Sequence, residues 1–262
     1  MSEQPQQQPH KIIKACLFDM DGLLINSEEI YTQVTNEVLA EHGKGELPWE
    51  VKIELQGRPG PDASRYFLEW SKLPYTPDEL FQETSRRQKK LWHKTEFMPG
   101  AAELLAHLAE HNIPIALATS SHRMNFTLKT NHLNKGGFEL FGDHIVVGDD
   151  PRIPAGRGKP HPDIWLVALE SLNAEHRAAA AAAGRTFTDI KPEECLVFED
   201  GLPGVTAGKA AGATVIWVPD ARALKVLNGR EVDIIGDSGE ILESLVHLDK
   251  AKYGLDKPRT TQ

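Results

Sequence analysis

The stretch 18–22, FDMDG, places two carboxylates, Asp19 and Asp21, directly after the apolar run 12–18. An apolar run of this length without polar alternation is typical of a strand covered on both faces of a parallel sheet, although a short buried helix shows the same pattern. Ligands in such sheets bind beyond the carboxyl ends of the strands. Side chains two residues apart in an extended backbone point to the same side, so we expect Asp19 and Asp21 to converge on one reacting centre.

Four further runs of strand character repeat this pattern along the chain. They cover 113–118, 144–147, 195–198 and 214–218. Long segments with helical periodicity separate them, and strands that alternate with helices in this way pair side by side in one sheet. The alternation therefore predicts an α/β fold, a doubly wound parallel sheet with helices on both faces.

Residues 27–96 show a different pattern, with amphipathic helical segments and no convincing strand. Helices are predicted near 27–41, 63–71 and 77–94, and the Gly and Pro residues of 57–61 give a turn signal between them. We therefore expect 27–96 to form an α-helical cap domain inserted into the sheet domain.

The insertion divides the sheet domain into two segments, 11–26 and 97–253. The Gln- and Pro-rich segment 1–10 has no apolar stretch that could pack, and we interpret it as a disordered tail. Residues 254–262 are mostly polar, and we interpret them as a flexible tail.

The composition argues against several classes of function. The 262 residues carry a formal net charge of -9 and no basic run, which argues against a nucleic-acid-binding protein. The longest apolar runs are far shorter than a membrane span, and two cysteines provide no disulfide framework. We expect a cytoplasmic protein, with the nucleus as the alternative, and no obligate protein partner is evident.

Polar side chains with complementary chemistry follow the predicted strands, where a site in this architecture is assembled. They are Asp19 and Asp21, the hydroxyl run 119–121, Lys159, and the pair Glu199 and Asp200. The carboxylates suit a hard cation, the hydroxyl and amide groups can donate to an oxyanion, and the lysine supplies a fixed positive charge. This set is typical of phosphoryl transfer.

The charge of a phosphate ester explains why such a set is needed. Two like unit charges about 4 Å apart repel by roughly 4 kcal/mol at an effective dielectric constant of about 20, so a bare aspartate meets a steep barrier. Mg²⁺ held by Asp19, Asp200 and, as a further candidate, Glu199 would offset this charge. Lys159 would offset it from another side. Asp19 could then attack phosphorus, while Asp21 gives a proton to the leaving alkoxide and later takes one from water.

These clusters match, in order, the four motifs of haloacid-dehalogenase-superfamily phosphatases with a helical cap. The matching segments are DMDG at 19–22, ATSS at 118–121, GKP at 158–160, and FED at 198–200 with Gly204 and Val205 after it. The chain resembles this family from about residue 12 to residue 250. The resemblance implies a Rossmann-like core domain that carries the site and a cap domain that covers it.

The resemblance also implies roles for the matched residues. Asp19 would be the nucleophile and Asp21 the acid/base. Thr119 and the Ser120 amide would bind the phosphoryl group, and Lys159 would neutralise it.

A magnesium site is implied by the same resemblance. Asp200 would bind Mg²⁺ together with Asp19 and the backbone carbonyl of Asp21, and Glu199 would be a direct or water-mediated ligand. In the cap, Glu28, Tyr31 and Arg58 are our candidates for contacts with the rest of the substrate, since the sheet site holds only the phosphoryl group.

Within the superfamily, the chain most resembles the pseudouridine-5'-phosphatase group, through 113–121, 126–130 with Lys129, 144–151 and 194–200. This resemblance implies a small phosphorylated metabolite, pseudouridine 5'-phosphate, as substrate. The alternatives are a broad-specificity sugar- or polyol-phosphate phosphatase and, from a different class, a binding module without catalysis.

Departures from related families weigh against two other activities. Tyr31 and Gly60 stand where phosphoglucomutase relatives carry a histidine and a cap arginine, which favours hydrolysis over mutase chemistry. A dehalogenase is disfavoured because displacement of a halide needs neither Asp21 as an acid nor Asp200 as a metal ligand. Asn26 stands where relatives commonly carry an aspartate, so hydrogen bonding at the cap hinge is expected to differ.

Overall fold

The computed structural model describes residues 12–58 and 60–259, without the side chain of Pro61. The tail expected over 1–10 lies outside the described residues. Within them, six strands form one parallel sheet in the order β3-β2-β1-β4-β5-β6, so the predicted doubly wound sheet is confirmed. The strands are β1 (Ala15–Phe18), β2 (Ile115–Ala118), β3 (Ile145–Val146), β4 (Cys195–Glu199), β5 (Thr214–Trp217) and β6 (Gly239–Ile241).

The sheet is buried because alternate residues of β1 enter two different apolar cores. Cys16 and Phe18 pack on the face covered by α5 (Ala101–Glu110). Ala15 and Leu17 pack on the other face, which is covered by α7 (Asp163–Ala182) and α8 (Leu202–Ala211). The continuous apolar character of the first strand thus follows from burial on both sides.

The remaining helices fall into two groups. The cap region contains α1 (Ser27–Glu41), α2 (Trp49–Leu55), α3 (Gly60–Ser71) and α4 (Pro77–Gln88), followed by a short turn of helix at Trp92–Lys94. The sheet region adds α6 (Arg123–Thr130), α9 (Ala221–Leu227) and α10 (Arg230–Ile235). No helix in the described part of the chain combines the length and the apolar character needed to cross a membrane.

The cap helices have an apolar core of their own, which includes Val38, Leu47, Phe67 and Leu80. The chain enters and leaves the cap at adjacent points, where Ile25 and Phe97 form an antiparallel bridge. Asn26 Oδ1 accepts the Glu96 amide at 2.8 Å, and the Asn26 amide donates to the Glu96 carbonyl at 3.1 Å. The asparagine side chain therefore ties the two crossings together.

Two short elements went unpredicted, and one segment differs from its prediction. Helix α2 has seven residues. Strand β6 has three half-buried residues, of which the first is a glycine. Neither element is long enough to show a clear hydrophobic periodicity. In the C-terminal segment, for which a flexible tail is predicted, Leu255 is fully buried. Arg259 donates to the carbonyls of Ile13 and, at 2.7 Å, Lys14, so Leu255 and Arg259 anchor this segment to the sheet domain.

Candidate active site

Adjacent strands of the sheet end at one edge and set the predicted residues side by side. Asp19 follows β1, and its amide donates to the end of β4 at 3.0 Å. Thr119 follows β2, and Glu199 is the last residue of β4. Gly22 turns the chain away from the edge with a φ of 81°, and a Cβ at this position would collide with the Asp200 carboxylate. The glycine of the first motif therefore allows both the turn and the close approach of Asp200.

One set of charged side chains, which we call the Lys159 cluster, consists of Asp19, Lys159, Glu199 and Asp200, all buried. The Lys159 ammonium donates to Asp19 Oδ1 and, at 2.5 Å, to Glu199 Oε1. Glu199 Oε2 accepts the backbone amides of Asp200 and Gly201, each at 3.0 Å. Oxygens of the three carboxylates lie within 4.8 Å of one another. Three carboxylates thus surround one ammonium group.

The pKa values of two carboxyl groups in the Lys159 cluster are raised, in keeping with its excess of negative charge. Burial raises the pKa of Asp19 to about 8, with Lys159 opposing the shift and Glu199 and Asp21 adding to it. Burial, together with Glu199 and Asp19, also raises the pKa of Asp200 well above its ordinary value. A divalent cation among these oxygens would offset the excess charge. Carboxylate oxygens are the donors that hard cations prefer, so the residues present fit such a metal.

A second set, the Lys129 cluster, consists of Asp21, Ser27, Tyr31, Ser121 and Lys129. The fully buried Lys129 ammonium donates to Asp21 Oδ1 at 2.5 Å. It also donates to the Tyr31 hydroxyl at 2.7 Å and to Ser121 Oγ at 2.9 Å. The Ser27 hydroxyl donates to Asp21 Oδ1 at 2.6 Å, and the Ser121 hydroxyl donates to Asp21 Oδ2 at 2.8 Å. One carboxylate here faces one ammonium group and two hydroxyl donors.

The surroundings of Asp21 favour its ionised form. Burial alone would raise the pKa of Asp21, but Lys129 and the hydroxyls of Ser27 and Ser121 lower it below its ordinary value. The Lys129 ammonium also lies 4.6 Å from the centroid of the Trp92 ring, which provides a further attraction for a buried cation. Asp21 is therefore an ionised hydrogen-bond acceptor in this conformation.

The phosphate-binding candidates lie between the two clusters. Thr119 Oγ1 is 3.5 Å from Asp21 Oδ2 and accepts the Ser121 amide at 3.1 Å. The Ser120 hydroxyl donates to the Gly57 carbonyl of the cap at 3.1 Å. The Ser120 amide donates to no protein group within residues 12–58 and 60–259, so it can bind a phosphoryl oxygen.

Sequence reasoning assigned no role to Lys129 or Ser27, although both contact Asp21. The signal for Lys129 is its spacing. It lies three residues after Phe126 on the buried face of the short helix α6, where a lysine is unexpected unless it is paired. Ser27 is the first residue of α1, and from sequence a serine there indicates only the start of a helix. Its hydrogen bond to Asp21 becomes apparent only in the structure.

A cavity of about 190 Å³ lies between the cap and the sheet edge and reaches Asp19, Asp21 and Ser120. The predicted cap residues Glu28, Tyr31 and Arg58 all line it.

Each of these three cap residues has a partner within the protein. Glu28 Oε2 lies 3.2 Å from the Lys52 ammonium, and Arg58 pairs with Glu54 at 3.0 Å. Tyr31 accepts its hydrogen bond from Lys129. Their contact with a substrate stays a prediction.

The sequence model of the haloacid dehalogenase-like hydrolases matches residues 13–212, and these carry all four clusters of motif residues. The chain belongs to this family. It is 54% identical over 243 residues to a Saccharomyces cerevisiae protein named "probable pseudouridine-5'-phosphatase", with 93% of this chain and 98% of the yeast protein covered.

Two further relatives support the assignment. "(DL)-glycerol-3-phosphatase 2" of Arabidopsis thaliana is 36% identical, with 91% of this chain and 90% of that protein covered. The crystal structure of a family hydrolase from Deinococcus radiodurans, with bound phosphate and sodium, has a TM-score of 0.68 and 30% identity. It covers 95% of this chain and all of that chain. The predicted resemblance to haloacid-dehalogenase-type phosphatases is confirmed, and with it the enzyme class.

Proposed function

We propose that the protein is a Mg²⁺-dependent phosphomonoester hydrolase that acts on pseudouridine 5'-phosphate through an aspartyl-phosphate intermediate. The observation that carries this proposal is the position of Asp19, buried at the end of β1 with its carboxylate on Lys159 and with Asp21 two residues further. A nucleophile, a fixed cation and a second carboxylate thus meet at one strand end.

The proposed reaction has two steps. Asp19 Oδ attacks phosphorus, the bond from phosphorus to the ester oxygen breaks, and the leaving oxygen takes a proton from Asp21. Water then attacks the same phosphorus and gives its proton to Asp21. The bond from phosphorus to Asp19 Oδ breaks, which releases phosphate and restores the Asp19 carboxylate. Thr119, the Ser120 amide and Lys159 would hold the phosphoryl oxygens throughout.

Asp21 has to change partners during this cycle. In the Lys129 cluster it is ionised and accepts hydrogen bonds from Lys129, Ser27 and Ser121, which suits a base. To act as an acid, it must carry a proton and point at the leaving oxygen. We propose that the substrate draws Asp21 away from Lys129, which removes the interactions that lower its pKa.

The proposed metal ligands are Asp19, the Asp21 backbone carbonyl and Asp200, with Glu199 as a further ligand. Mg²⁺ bound there would offset the charge of the carboxylates and of the phosphoryl group. The preference for Mg²⁺ over other hard cations is part of the proposal.

The substrate is proposed from the yeast relative, at 54% identity over nearly the whole chain. The Arabidopsis glycerol-3-phosphatase supports the alternative of a broad-specificity sugar- or polyol-phosphate phosphatase. Gly60 stands in place of a cap arginine, which favours hydrolysis over a mutase reaction. We also propose a cap at 27–96 that moves about the paired crossings at Asn26 and Glu96, and a cytoplasmic location, with the nucleus as the alternative.

The test is phosphate release from pseudouridine 5'-phosphate, uridine 5'-phosphate, glycerol 3-phosphate and a set of hexose and pentose phosphates. Each is measured with Mg²⁺ and with excess chelator, and the Asp19→Asn variant serves as the blank. A metal-dependent preference for pseudouridine 5'-phosphate is expected. Even, weak release across the panel would favour the broad-specificity alternative, and no release above the blank would leave a binding module.

A further inference from the structure

The cavity between cap and sheet edge continues into the interior of the cap. There its lining includes the apolar side chains of Val38, Leu47, Phe67 and Leu80, which also belong to the cap core. A cavity of about 150 Å³ is large enough to hold a benzene ring, so about 190 Å³ accommodates one planar six-membered ring. The walls therefore suit the faces of a flat ring better than the hydroxyl groups of a polyol.

Polar side chains also line the cavity, among them two buried ones from the cap helices α3 and α4. Gln88, the last residue of α4, and Ser64 of α3 line the cavity and are only 7% and 8% exposed, respectively. Neither side chain has a hydrogen-bond partner among residues 12–58 and 60–259. A carboxamide and a hydroxyl that line a cavity without a protein partner are free to bind a ligand that enters it.

We propose that Gln88 and Ser64 determine specificity by binding the polar edge of a six-membered heterocycle, so that the cap selects a pyrimidine nucleotide over a polyol phosphate. A carboxamide presents an acceptor and a donor side by side, and the N–H and carbonyl of a uracil edge present the complementary pair. Two parallel hydrogen bonds can form between them. This inference rests on the proposed phosphatase function, and it adds the group that the cap binds and the residues that bind it.

These residues are better placed for this role than the candidates taken from the sequence. Glu28, Tyr31 and Arg58 line the same cavity, but each already has a partner in the protein. A ligand that displaced Lys52 from Glu28 or Lys129 from Tyr31 would take a hydrogen-bond partner from a buried ammonium group. Binding at Gln88 and Ser64 breaks no side-chain hydrogen bond within the described residues.

The test compares Gln88→Met and Ser64→Ala with the wild type. Methionine has nearly the volume of glutamine and no amide, so packing is kept while the paired donor and acceptor are lost. Gln33→Met, at an exposed position of α1, is the matched control. Steady-state kinetics are measured with pseudouridine 5'-phosphate, uridine 5'-phosphate and glycerol 3-phosphate, and thermal melting confirms that each variant is folded.

We expect Gln88→Met to lower kcat/KM for the pyrimidine nucleotides by roughly 10- to 100-fold, mainly through KM, and Ser64→Ala by a smaller factor. For glycerol 3-phosphate, which has no heterocycle to pair with the carboxamide, the change should stay within about twofold. An equal loss on all substrates would mean a structural role and overturn the proposal, as would no loss on any nucleotide.

The wild-type rates separate this inference from the proposed function. If the wild type hydrolyses pseudouridine 5'-phosphate and Gln88→Met does so equally well, the proposed function stands and the role of Gln88 is wrong. If only uridine 5'-phosphate is hydrolysed, with dependence on Gln88, the recognition stands and the proposed substrate is wrong. Hydrolysis of glycerol 3-phosphate with no pyrimidine nucleotide accepted would overturn both.

Discussion

Two buried lysines lie at the same edge of the sheet, but the charges around them differ. Lys159 faces the carboxylates of Asp19 and Glu199, with Asp200 beside them, whereas Lys129 faces the single carboxylate of Asp21. The pKa values of Asp19 and Asp200 are raised, and that of Asp21 is lowered.

The difference shows what each cluster needs in order to be stable. The Lys129 cluster is neutral by itself, and its hydroxyl groups fill the remaining hydrogen-bonding positions of Asp21. The Lys159 cluster has an excess of negative charge that a hard cation or protons must offset. Two residues apart in sequence, Asp19 and Asp21 thus have different surroundings: Asp19 shares its lysine with Glu199, whereas Asp21 is the one carboxylate on Lys129 in the described part of the chain.

The largest expected effect comes from the nucleophile. In Asp19→Asn, the amide cannot form an acyl phosphate, so turnover should fall by at least roughly a thousandfold. The variant should melt no lower than the wild type in chelator, because one charge leaves a cluster with an excess of negative charge. Asp143→Asn, at an exposed position, is the control. A variant that keeps a tenth of the activity would rule out Asp19 as the nucleophile.

Removal of Lys129 should affect stability more than any other change in its cluster. Lys129→Met leaves the Asp21 carboxylate buried without a counter-charge, and breaking such a pair lowers the free energy of unfolding by about 3 to 5 kcal/mol. Chemical denaturation measures this loss, and Lys135→Met at an exposed site should show little change.

A double variant makes this prediction specific to charge. Lys129→Met combined with Asp21→Asn should recover part of the lost stability, because the uncompensated charge is then gone. If the double variant is as unstable as the sum of the single variants, Lys129 contributes through packing alone.

Much of the site could be predicted from sequence because its residues are adjacent in the chain to strand ends. FDMDG follows an apolar run, and Glu199 with Asp200 follows another, so the sheet topology brings them together once the strands are recognised. Lys159 does not directly follow a strand, and the motif around it indicated its role.

The parts that sequence missed depend on contacts between distant segments. Lys129 contacts Asp21, 108 positions earlier in the chain, and its spacing from Phe126 indicates a helix face but not the partner on that face. The anchoring of 254–259 depends on one buried leucine and one arginine within a polar stretch. The sequence also gives no sign that the Gln88 side chain lacks a hydrogen-bond partner among the described residues, because this depends on which side chains of other segments surround it.

Metal binding at the Lys159 cluster should stabilise the folded protein, by less than the loss expected for Lys129→Met. At a Mg²⁺ concentration 100 times the dissociation constant, the gain is about 2.7 kcal/mol, or roughly 5 to 10 °C in Tm for a chain of this size. Thermal melting with Mg²⁺ and with chelator measures it. Asp200→Asn should reduce the gain, and an unchanged gain would exclude Asp200 as a ligand.

The same gain should depend on pH in a direction set by Asp19. Without a cation, its folded-state pKa of about 8 lies above the ordinary 3.8, so the stability it contributes is present below 3.8 and lost as the pH rises through 8. Mg²⁺ competes with these protons. The rise in Tm should therefore be larger at pH 8 than at pH 5, and equal increases at both would contradict the raised pKa.

The smallest expected effect concerns a hydroxyl group of the Lys129 cluster. Ser27→Ala removes one donor to Asp21 and leaves Lys129 and Ser121 in place, so the loss should be about 1 to 2 kcal/mol at pH 7. Ser85→Ala, in another helix of the cap, has no such contact and serves as the control.

The pH dependence of that loss distinguishes the hydrogen bond from packing. The folded-state pKa of Asp21 is lowered, so the stability it contributes is present above the ordinary value of 3.8 and lost as the pH falls through the folded-state pKa. Removing the Ser27 hydroxyl raises that pKa toward the ordinary value. The difference in Tm between Ser27→Ala and the wild type should therefore be greatest near pH 7 and should shrink as Asp21 becomes protonated in both proteins. A difference that is constant with pH would mean that Ser27 contributes through packing at the start of α1, and Asp21 would then depend on Lys129 and Ser121 alone.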